Sequence, residues 1–245
     1  VLRADSHRML IGLGASFAYR EALDAPNEYF YDVATHKLYM IPNVTLNGQP
    51  AAPDPKIRCV LKAFHSCANA VCLTRMLRCV RLVAGKLQTL ISINSTMSNP
   101  IKNITIQGIK FRDAADTTME NWGVPSGGDW GLYRGGAVFF EGTEGCVVKH
   151  CSFLRVDNNA LFVSGYNRYT TFADNEFAWL GLSAMAGWGY TNEMDGTDGQ
   201  QPRYTSIERN YVREIGIIEK QSSMWFQAKT CLTNIDSNVA FNQPR

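Results

Sequence analysis

The chain has 245 residues, of which 45% are hydrophobic, and a formal net charge of +2. This composition is ordinary for a globular protein of one or two domains. No run of apolar residues is long enough to span a membrane, and so small a net charge gives no case for nucleic-acid binding.

The N-terminal region, residues 1–54, has a different sequence pattern from the rest of the chain. Two β-like runs at 27–32 and 37–42 are separated by four residues, a pattern that predicts an antiparallel hairpin. Because two isolated strands are only marginally stable, we expect this hairpin region to pack on the remainder of the fold.

Residues 55–88 are basic and rich in cysteine, with seven Lys or Arg, no Asp or Glu, and four of the seven cysteines. The cysteine spacing lacks the close pairs of structural zinc sites, so no metal is predicted. A disulfide stays open, and the interleaved Arg and apolar residues fit a short amphipathic helix. We interpret 55–88 as a helical or disordered insert that is foreign to the surrounding fold.

Residues 89–245 repeat one pattern. Five short alternating segments share apolar ends, and their fourth positions are Ile, Cys, Asn, Asn and Asn; they span residues 106–111, 148–153, 172–177, 207–212 and 235–240. Between them a second strand series recurs at 136–142, 159–165, 183–189 and 222–228. This period predicts an all-β fold, a right-handed parallel β-helix solenoid with stacked Asn side chains. The chain ends just after a repeat strand without a polar cap, so we expect a fragment.

Two departures from the period indicate long loops, at residues 114–134 and 190–202. Inserts in a solenoid emerge on one face and often form the binding site there. Both inserts are rich in Gly and Asp, and the first also contains Trp122 and Trp130, a composition that suits a sugar-binding rim.

Alternation in the second series predicts which side chains point outward. The outward set is Phe139, Phe162, Ala186 and Trp225, together with Glu141, Ser164, Trp188 and Gln227. Aromatic faces stack on sugar rings, and carboxylate and amide groups bind hydroxyls, so this stripe fits a carbohydrate platform. The alternative is that loops cover the face and its aromatic residues form a second core.

The preceding corner holds the predicted catalytic groups. The repeat places Arg134, Asp157, Gly181 and Lys220 at one position in successive coils. A neighbouring Arg134 would hold Asp157 ionised, and Glu219, two coils away, suits the carboxyl separation of an inverting glycosidase. A structural corner ion pair is the alternative. The predicted catalytic residues are therefore Asp157, Glu219 and Glu141, and the predicted substrate-binding residues are Trp188, Trp225, Gln227, Tyr190, Arg134, Lys220 and Asp195. No metal and no cofactor is predicted, although residues 195–199 resemble the start of a calcium loop.

Several segments resemble one family. Residues 22–26, 28–32 and 38–42 are similar to the entry segment of β-helix glycoside hydrolases of the pectin-lyase-like superfamily; residues 164–168, 188–190, 201–203 and 219–223 resemble its right-handed β-helix domain branch. The resemblance implies cleavage of a polysaccharide or glycoside by paired carboxylates in a groove. A non-catalytic carbohydrate-binding or matrix protein and a polysaccharide lyase remain alternatives. Three Asn-x-Ser/Thr triplets, at Asn43, Asn94 and Asn103, favour a secreted glycoprotein.

Overall fold

The computed structural model describes residues 85–125, 130–192 and 195–244, and the backbone of eight short strands within residues 1–84. The chain divides into two compact units, Val1–Ala84 and Gly85–Arg245. The described elements of both units are β-strands, and no helix occurs in these parts of the chain.

The strands of the first unit pair antiparallel. They are β1 (Leu2–Asp5), β2 (Met9–Leu10), β3 (Tyr29–Asp32), β4 (Lys37–Met40), β5 (Thr45–Leu46), β6 (Gln49–Pro50), β7 (Cys59–Lys62) and β8 (Arg81–Ala84). Their sheets have the orders β2-β1-β8, β3-β4-β7 and β5-β6.

Two of these strands fall on the predicted hairpin. β3 and β4 are antiparallel, with Asp32 opposite Lys37, whereas the connecting residues 33–36 lie outside the described residues, so the hairpin itself stays a prediction. The basic stretch contributes β7 and β8. The predicted amphipathic helix spans residues 71–83: its last part, residues 81–83, lies in strand β8, and residues 71–80 lie outside the described residues.

The second unit forms three sheets of parallel strands. In chain order the strands are β9 (Ile91–Asn94), β10 (Ile101–Lys102), β11 (Thr105–Gln107), β12 (Lys110–Arg112), β13 (Val138–Glu144), β14 (Val147–Lys149), β15 (Ser152–Leu154), β16 (Leu161–Arg168), β17 (Thr171–Ala173), β18 (Glu176–Ala178), β19 (Met185–Trp188), β20 (Pro202–Arg203), β21 (Ser206–Glu208), β22 (Tyr211–Arg213), β23 (Trp225–Ala228), β24 (Asn234–Asp236) and β25 (Val239–Phe241). Sheet 1 has the order β10-β13-β16-β19-β23; in addition, β9 pairs with β13 and β20 pairs with β16. Sheet 2 has the order β11-β14-β17-β21-β24, and sheet 3 has the order β12-β15-β18-β22-β25.

The chain visits sheets 1, 2 and 3 in the same order on each pass, and we call one such pass a coil. The five repeat segments lie in register, so that Ile106, Val148, Phe172, Ile207 and Ile235 are successive partners in sheet 2. Residues at the same position of the sequence repeat therefore stack on one another in successive coils. All-parallel pairing in three sheets is compatible with a parallel β-helix.

The core consists of inward-facing side chains stacked from coil to coil. The rings of Phe111 and Phe153 are 4.8 Å apart and nearly parallel, and Phe177 continues the stack at 5.0 Å. Phe153 and Phe177 are fully buried. Burying one such side chain contributes about 2 kcal/mol, so the repeat segments stabilise the stack mainly through these positions.

The predicted asparagine ladder is present at the turn between sheets 2 and 3. The Nδ2 group of Asn175 donates to Oδ1 of Asn210 at 3.0 Å, and that of Asn210 donates to Oδ1 of Asn238 at 2.9 Å. At the first step the backbone N–H of Cys151 donates to Oδ1 of Asn175 at 2.9 Å. The ladder therefore satisfies buried polar groups where the chain turns.

The last strand of sheet 1 differs from its predicted register by one residue. Met185 pairs with Trp225, and Trp188 pairs with Ala228 rather than with Gln227. Trp225 thereby takes a core-facing position, where its ring packs over Gly187: a Cβ on that glycine would lie 2.7 Å from the ring. The prediction that Trp225 belongs to the outward stripe is wrong, and Phe226 takes that outward position instead. Gln227 pairs with Gly187 rather than with Trp188, and it is exposed.

Candidate functional site

The outer face of sheet 1 is largely covered. Phe139, Phe162, Ala186 and Phe226 form a hydrophobic cluster with Trp130, Leu132, Trp188 and Ala228. Phe162 is fully buried, and the ring of Trp130 lies 5.0 Å from that of Phe226. The first insert therefore packs on this face, and its aromatic row is a second core, not an open platform.

Beside that core, five residues form what we call the Arg134 cluster: Arg134, Glu141, Ser164, Trp188 and Tyr190. The guanidinium of Arg134 donates to Ser164 Oγ at 2.9 Å and to the Trp188 carbonyl at 2.7 Å. It also lies over the rings of Trp188 and Tyr190, at 3.9 and 4.2 Å from their centroids. The Tyr190 hydroxyl completes the cluster by donating to Glu141 at 3.0 Å.

Burial dominates the electrostatics of this cluster. Loss of solvent lowers the pKa of Arg134 from its ordinary value, and nearby Tyr190 and Glu141 oppose that effect. A Cβ on Gly123 would collide with the Trp188 ring, which shows how closely the first insert approaches it. Trp188 thus has Arg134 over its ring and the backbone of the first insert at its edge, so it helps to hold that insert. Glu141 and the half-exposed Tyr190 stay accessible.

Asp157 lies in a different environment. Only 3% of the residue is exposed, and a Cβ on Gly181 would collide with its backbone, so the corner is tightly packed. The contacts of Arg134 are with the cluster described above, whereas the prediction put this side chain next to Asp157. The structure thus places Asp157 in a closed corner, and its catalytic role stays a prediction.

Glu219 and Lys220 stabilise a turn. Glu219 accepts a hydrogen bond from the backbone of Gln221 at 2.8 Å. The ammonium of Lys220 donates to the carbonyl groups of Gly216 and Ile217, both at 2.9 Å. Of the predicted catalytic carboxylates, Glu219 therefore lies in this turn, whereas Glu141 lies in the Arg134 cluster.

A cavity of about 1030 Å³ opens between the two inserts and the end of sheet 1. Its walls come from residues 125 and 130 of the first insert, from residues 191, 195–197 and 201 of the second, and from 203 and 227–231. The predicted rim of two inserts is therefore present, and two predicted substrate-binding residues, Asp195 and Gln227, line it. The other lining residues are Pro125, Trp130, Thr191, Gly196, Thr197, Gln201, Arg203, Ala228, Lys229, Thr230 and Cys231.

Three polar atoms of this lining are buried without a hydrogen-bond partner among the described residues: Gln201 Oε1, Arg203 Nε and Thr230 Oγ1. They comprise an acceptor, a donor and a hydroxyl that can act as either. Gln201 is only 4% exposed. Buried polar groups are normally paired, so three orphans on one cavity wall indicate a place where polar partners bind.

The second insert is held rigidly at the cavity by cations. Arg168 donates to the carbonyl groups of Gln201 and Gly199 at 2.6 and 2.9 Å. Arg203 donates to Gly196 at 2.6 Å, and Lys229 donates to Thr191 at 2.9 Å. These bonds fix the backbone that presents the lining side chains.

Asp195 supplies an anionic group to the wall. Its carboxylate accepts hydrogen bonds from the Thr197 hydroxyl at 2.7 Å and from the Thr197 backbone at 3.0 Å. These bonds, the hydroxyl first, lower the pKa of Asp195 below its ordinary value, so the group is ionised at neutral pH.

Within the part of the chain described in full, no three His, Cys, Asp or Glu side chains come together as metal ligands. Cys146, Cys151 and Cys231 are free thiols. None of the described segments is a helix of the length and apolarity needed to cross a membrane.

In comparisons of the chain with protein-family models, curated proteins and solved structures, no match was found. What the cavity does has to be inferred from its own residues. Sequence reasoning did not select Trp130, Gln201 or Thr230 as binding residues. Trp130 and Gln201 lie in the two segments that break the repeat period, and that break was the signal that could have identified them. No signal in the sequence points to Thr230.

Proposed function

We propose that this chain is a carbohydrate-active protein that binds a glycan in the cavity between its two inserts. The observation that carries the proposal is the set of unpaired buried atoms on Gln201, Arg203 and Thr230. Sugar hydroxyls both donate and accept hydrogen bonds, so neighbouring hydroxyls of one ring can satisfy this mixed set.

The remaining lining suits the same ligand class. Trp130 and Pro125 give the cavity an apolar side opposite its polar groups, which matches the C–H faces and hydroxyl edges of a pyranose. At about 1030 Å³ the space is at the upper end for small-molecule pockets, and it accommodates more than one sugar ring.

The finer fold and location belong to the same proposal. The constant visiting order of the three sheets supports a right-handed β-helix solenoid of the pectin-lyase-like type. Asn94, the first residue of a glycosylation triplet, is exposed, as a secreted glycoprotein requires.

The test is a titration calorimetry screen against soluble arabinoxylan, polygalacturonate and fucoidan, and against trisaccharides cut from each. Wild type is expected to bind at least one of them, and Gln201→Ala is expected to weaken that binding about tenfold or more, since a buried hydrogen bond is lost. Glu214→Gln, outside the cavity lining, serves as the matched control. Equal affinities of wild type and Gln201→Ala would remove the cavity from the proposal.

Hydrolysis of the bound glycan is a second candidate function, favoured by the ionised carboxylate of Asp195 on the cavity wall. A glycosidase needs a second carboxyl group, and Glu141 is the predicted catalytic residue that stays accessible. If the protein is a hydrolase, Asp195→Asn abolishes release of reducing sugar while binding persists. Persistent turnover in that variant would exclude Asp195 as the catalytic carboxylate.

A further inference from the structure

The corner between sheets 1 and 2 carries a regular row of residues. In five successive coils the residue at this corner has a left-handed backbone, with φ between 52° and 63°. The row is Asn103, Gly145, Tyr169, Tyr204 and Leu232.

Two members of this row form an exposed aromatic stack. The rings of Tyr169 and Tyr204 are 4.8 Å apart and 6° from parallel. Tyr169 is 61% exposed and Tyr204 is 44% exposed. The phenylalanine stack inside the sheets has the same spacing but is buried, so the tyrosine stack leaves aromatic surface in water that core packing does not use.

The preceding coil places no side chain of its own beside Tyr169, because Gly145 occupies that position, and parallel strands stack about 4.8 Å apart. The side chain of Asn103, one coil earlier, reaches into this position: its Oδ1 lies 2.6 Å from where a Gly145 Cβ would be. The coil position next to Tyr169 is thus occupied by an amide and not by a further aromatic ring.

This row adjoins the cavity. Arg203 and Cys231, which line the cavity, directly precede Tyr204 and Leu232 in the chain. The backbone N–H of Tyr169 donates to the Arg203 carbonyl at 3.2 Å. A chain molecule leaving the cavity past Arg203 therefore meets the tyrosine rings next.

We propose that Tyr169 and Tyr204, with the Asn103 amide, form a second sugar subsite that binds a further ring of the glycan held in the cavity. This inference rests on the proposed function. An aromatic face takes the C–H side of a pyranose, and the amide binds a hydroxyl at the ring edge. The ligand is consequently a glycan chain and not a single sugar.

The experiment compares Tyr169→Ala with Tyr169→Phe, which keeps the ring, and with Leu232→Ala, which truncates another exposed member of the same row. All proteins are made in a host that does not glycosylate asparagine, so that Asn103 is unmodified. Calorimetry measures affinity for the longest and the shortest form of the polysaccharide that wild type binds in the screen above. Circular dichroism and thermal unfolding confirm that each variant is folded.

Tyr169→Ala is expected to weaken binding of the long glycan about tenfold or more, because a second linked contact multiplies apparent affinity. Affinity for the trisaccharide stays within twofold of wild type, and Tyr169→Phe and Leu232→Ala retain long-chain binding. If Tyr169→Ala binds the long glycan as tightly as wild type does, the second subsite is overturned, but the proposal that the cavity binds a glycan is not affected. Failure of wild type to bind any glycan overturns both proposals.

Discussion

The hydroxyl of Tyr190 donates a hydrogen bond of 3.0 Å to the Glu141 carboxylate, across 49 residues of chain. Tyr190 is the first residue of the second insert, and Glu141 lies in β13. The Tyr190 backbone also donates to Gln200 at 2.7 Å, closing the base of that insert. One tyrosine therefore ties a cavity-forming loop to the parallel sheet.

Replacing Tyr190 by Phe removes this tether but keeps the ring over Arg134. We expect the free energy of unfolding to fall by about 1 kcal/mol, the usual worth of one hydrogen bond that solvent can partly replace. Urea denaturation measures the change, and Tyr169→Phe, at a more exposed position, is the control. Equal midpoints for Tyr190→Phe and wild type would show that the bond contributes nothing.

The asparagine ladder predicts a gradient of stability along the stack. Asn210→Ala removes a side chain that accepts from Asn175 and donates to Phe172 and Asn238, all in a buried setting. It leaves buried backbone groups unpaired, so we expect a loss of about 3 kcal/mol. Asn238→Ala, at the less buried end, should cost roughly 1 kcal/mol. Thermal unfolding of both variants checks the order, and a larger loss for Asn238→Ala contradicts it.

We expect the stacked core rings to contribute more to the free energy of unfolding than any surface contact does. Phe153 lies between Phe111 and Phe177 and is fully buried. Phe153→Ala removes both ring contacts and leaves a cavity, at an expected cost of about 4 kcal/mol. Phe153→Leu, which keeps most of the volume, should lose about half as much. Denaturant titration measures the free energy of unfolding of both variants. Similar losses of stability for the two would contradict the prediction, because they would mean that the stack relaxes to fill the space left by the Phe153 ring.

Glu144 should make stability depend on acid pH. Hydrogen bonds from Lys102 first, and then from Tyr166, lower the pKa of this carboxyl below its ordinary value of 4.5. A group with a lowered pKa in the folded state stabilises the protein above its unfolded pKa. That contribution disappears as the pH falls from about 4.5 through the lower folded value.

Glu144→Gln is therefore expected to lower the melting temperature at pH 6 and to flatten its decline below pH 4.5. Lys102→Gln should weaken the same pH dependence, since it removes the larger cause of the shift. Melting curves from pH 3 to 7 measure both effects. Parallel curves for wild type and Glu144→Gln would contradict the prediction.

The sequence predicts the parallel stacking well because the stack is held by periodic contacts. Core positions such as Phe153 and ladder positions such as Asn210 recur at the repeat period, so counting residues places them in register. The last strand departs from that count by one residue, because the small Gly187 lets the large Trp225 ring turn inward. A repeat period does not reveal where a small residue in one coil makes room for a large side chain from the next.

The site is less predictable for the same reason. Asp157 and Arg134 share a position in the repeat, but Arg134 emerges from a long insert and its guanidinium ends over Trp188 and Tyr190. Loop conformation is set by its own contacts rather than by the repeat. Gln201 lies near the end of the other insert and could be placed at a rim, but its unpaired Oε1 is visible only in three dimensions.

The central claim is that a glycan occupies the cavity between the two inserts, and hydrogen–deuterium exchange tests it most directly. A glycan that binds in the calorimetry screen is added at saturation, and amide exchange is compared with that of the free protein. Slower exchange in residues 195–203 and 227–231 is expected, with little change in β15 and β18 on the third sheet. Saturating binding without protection in either segment would contradict the claim.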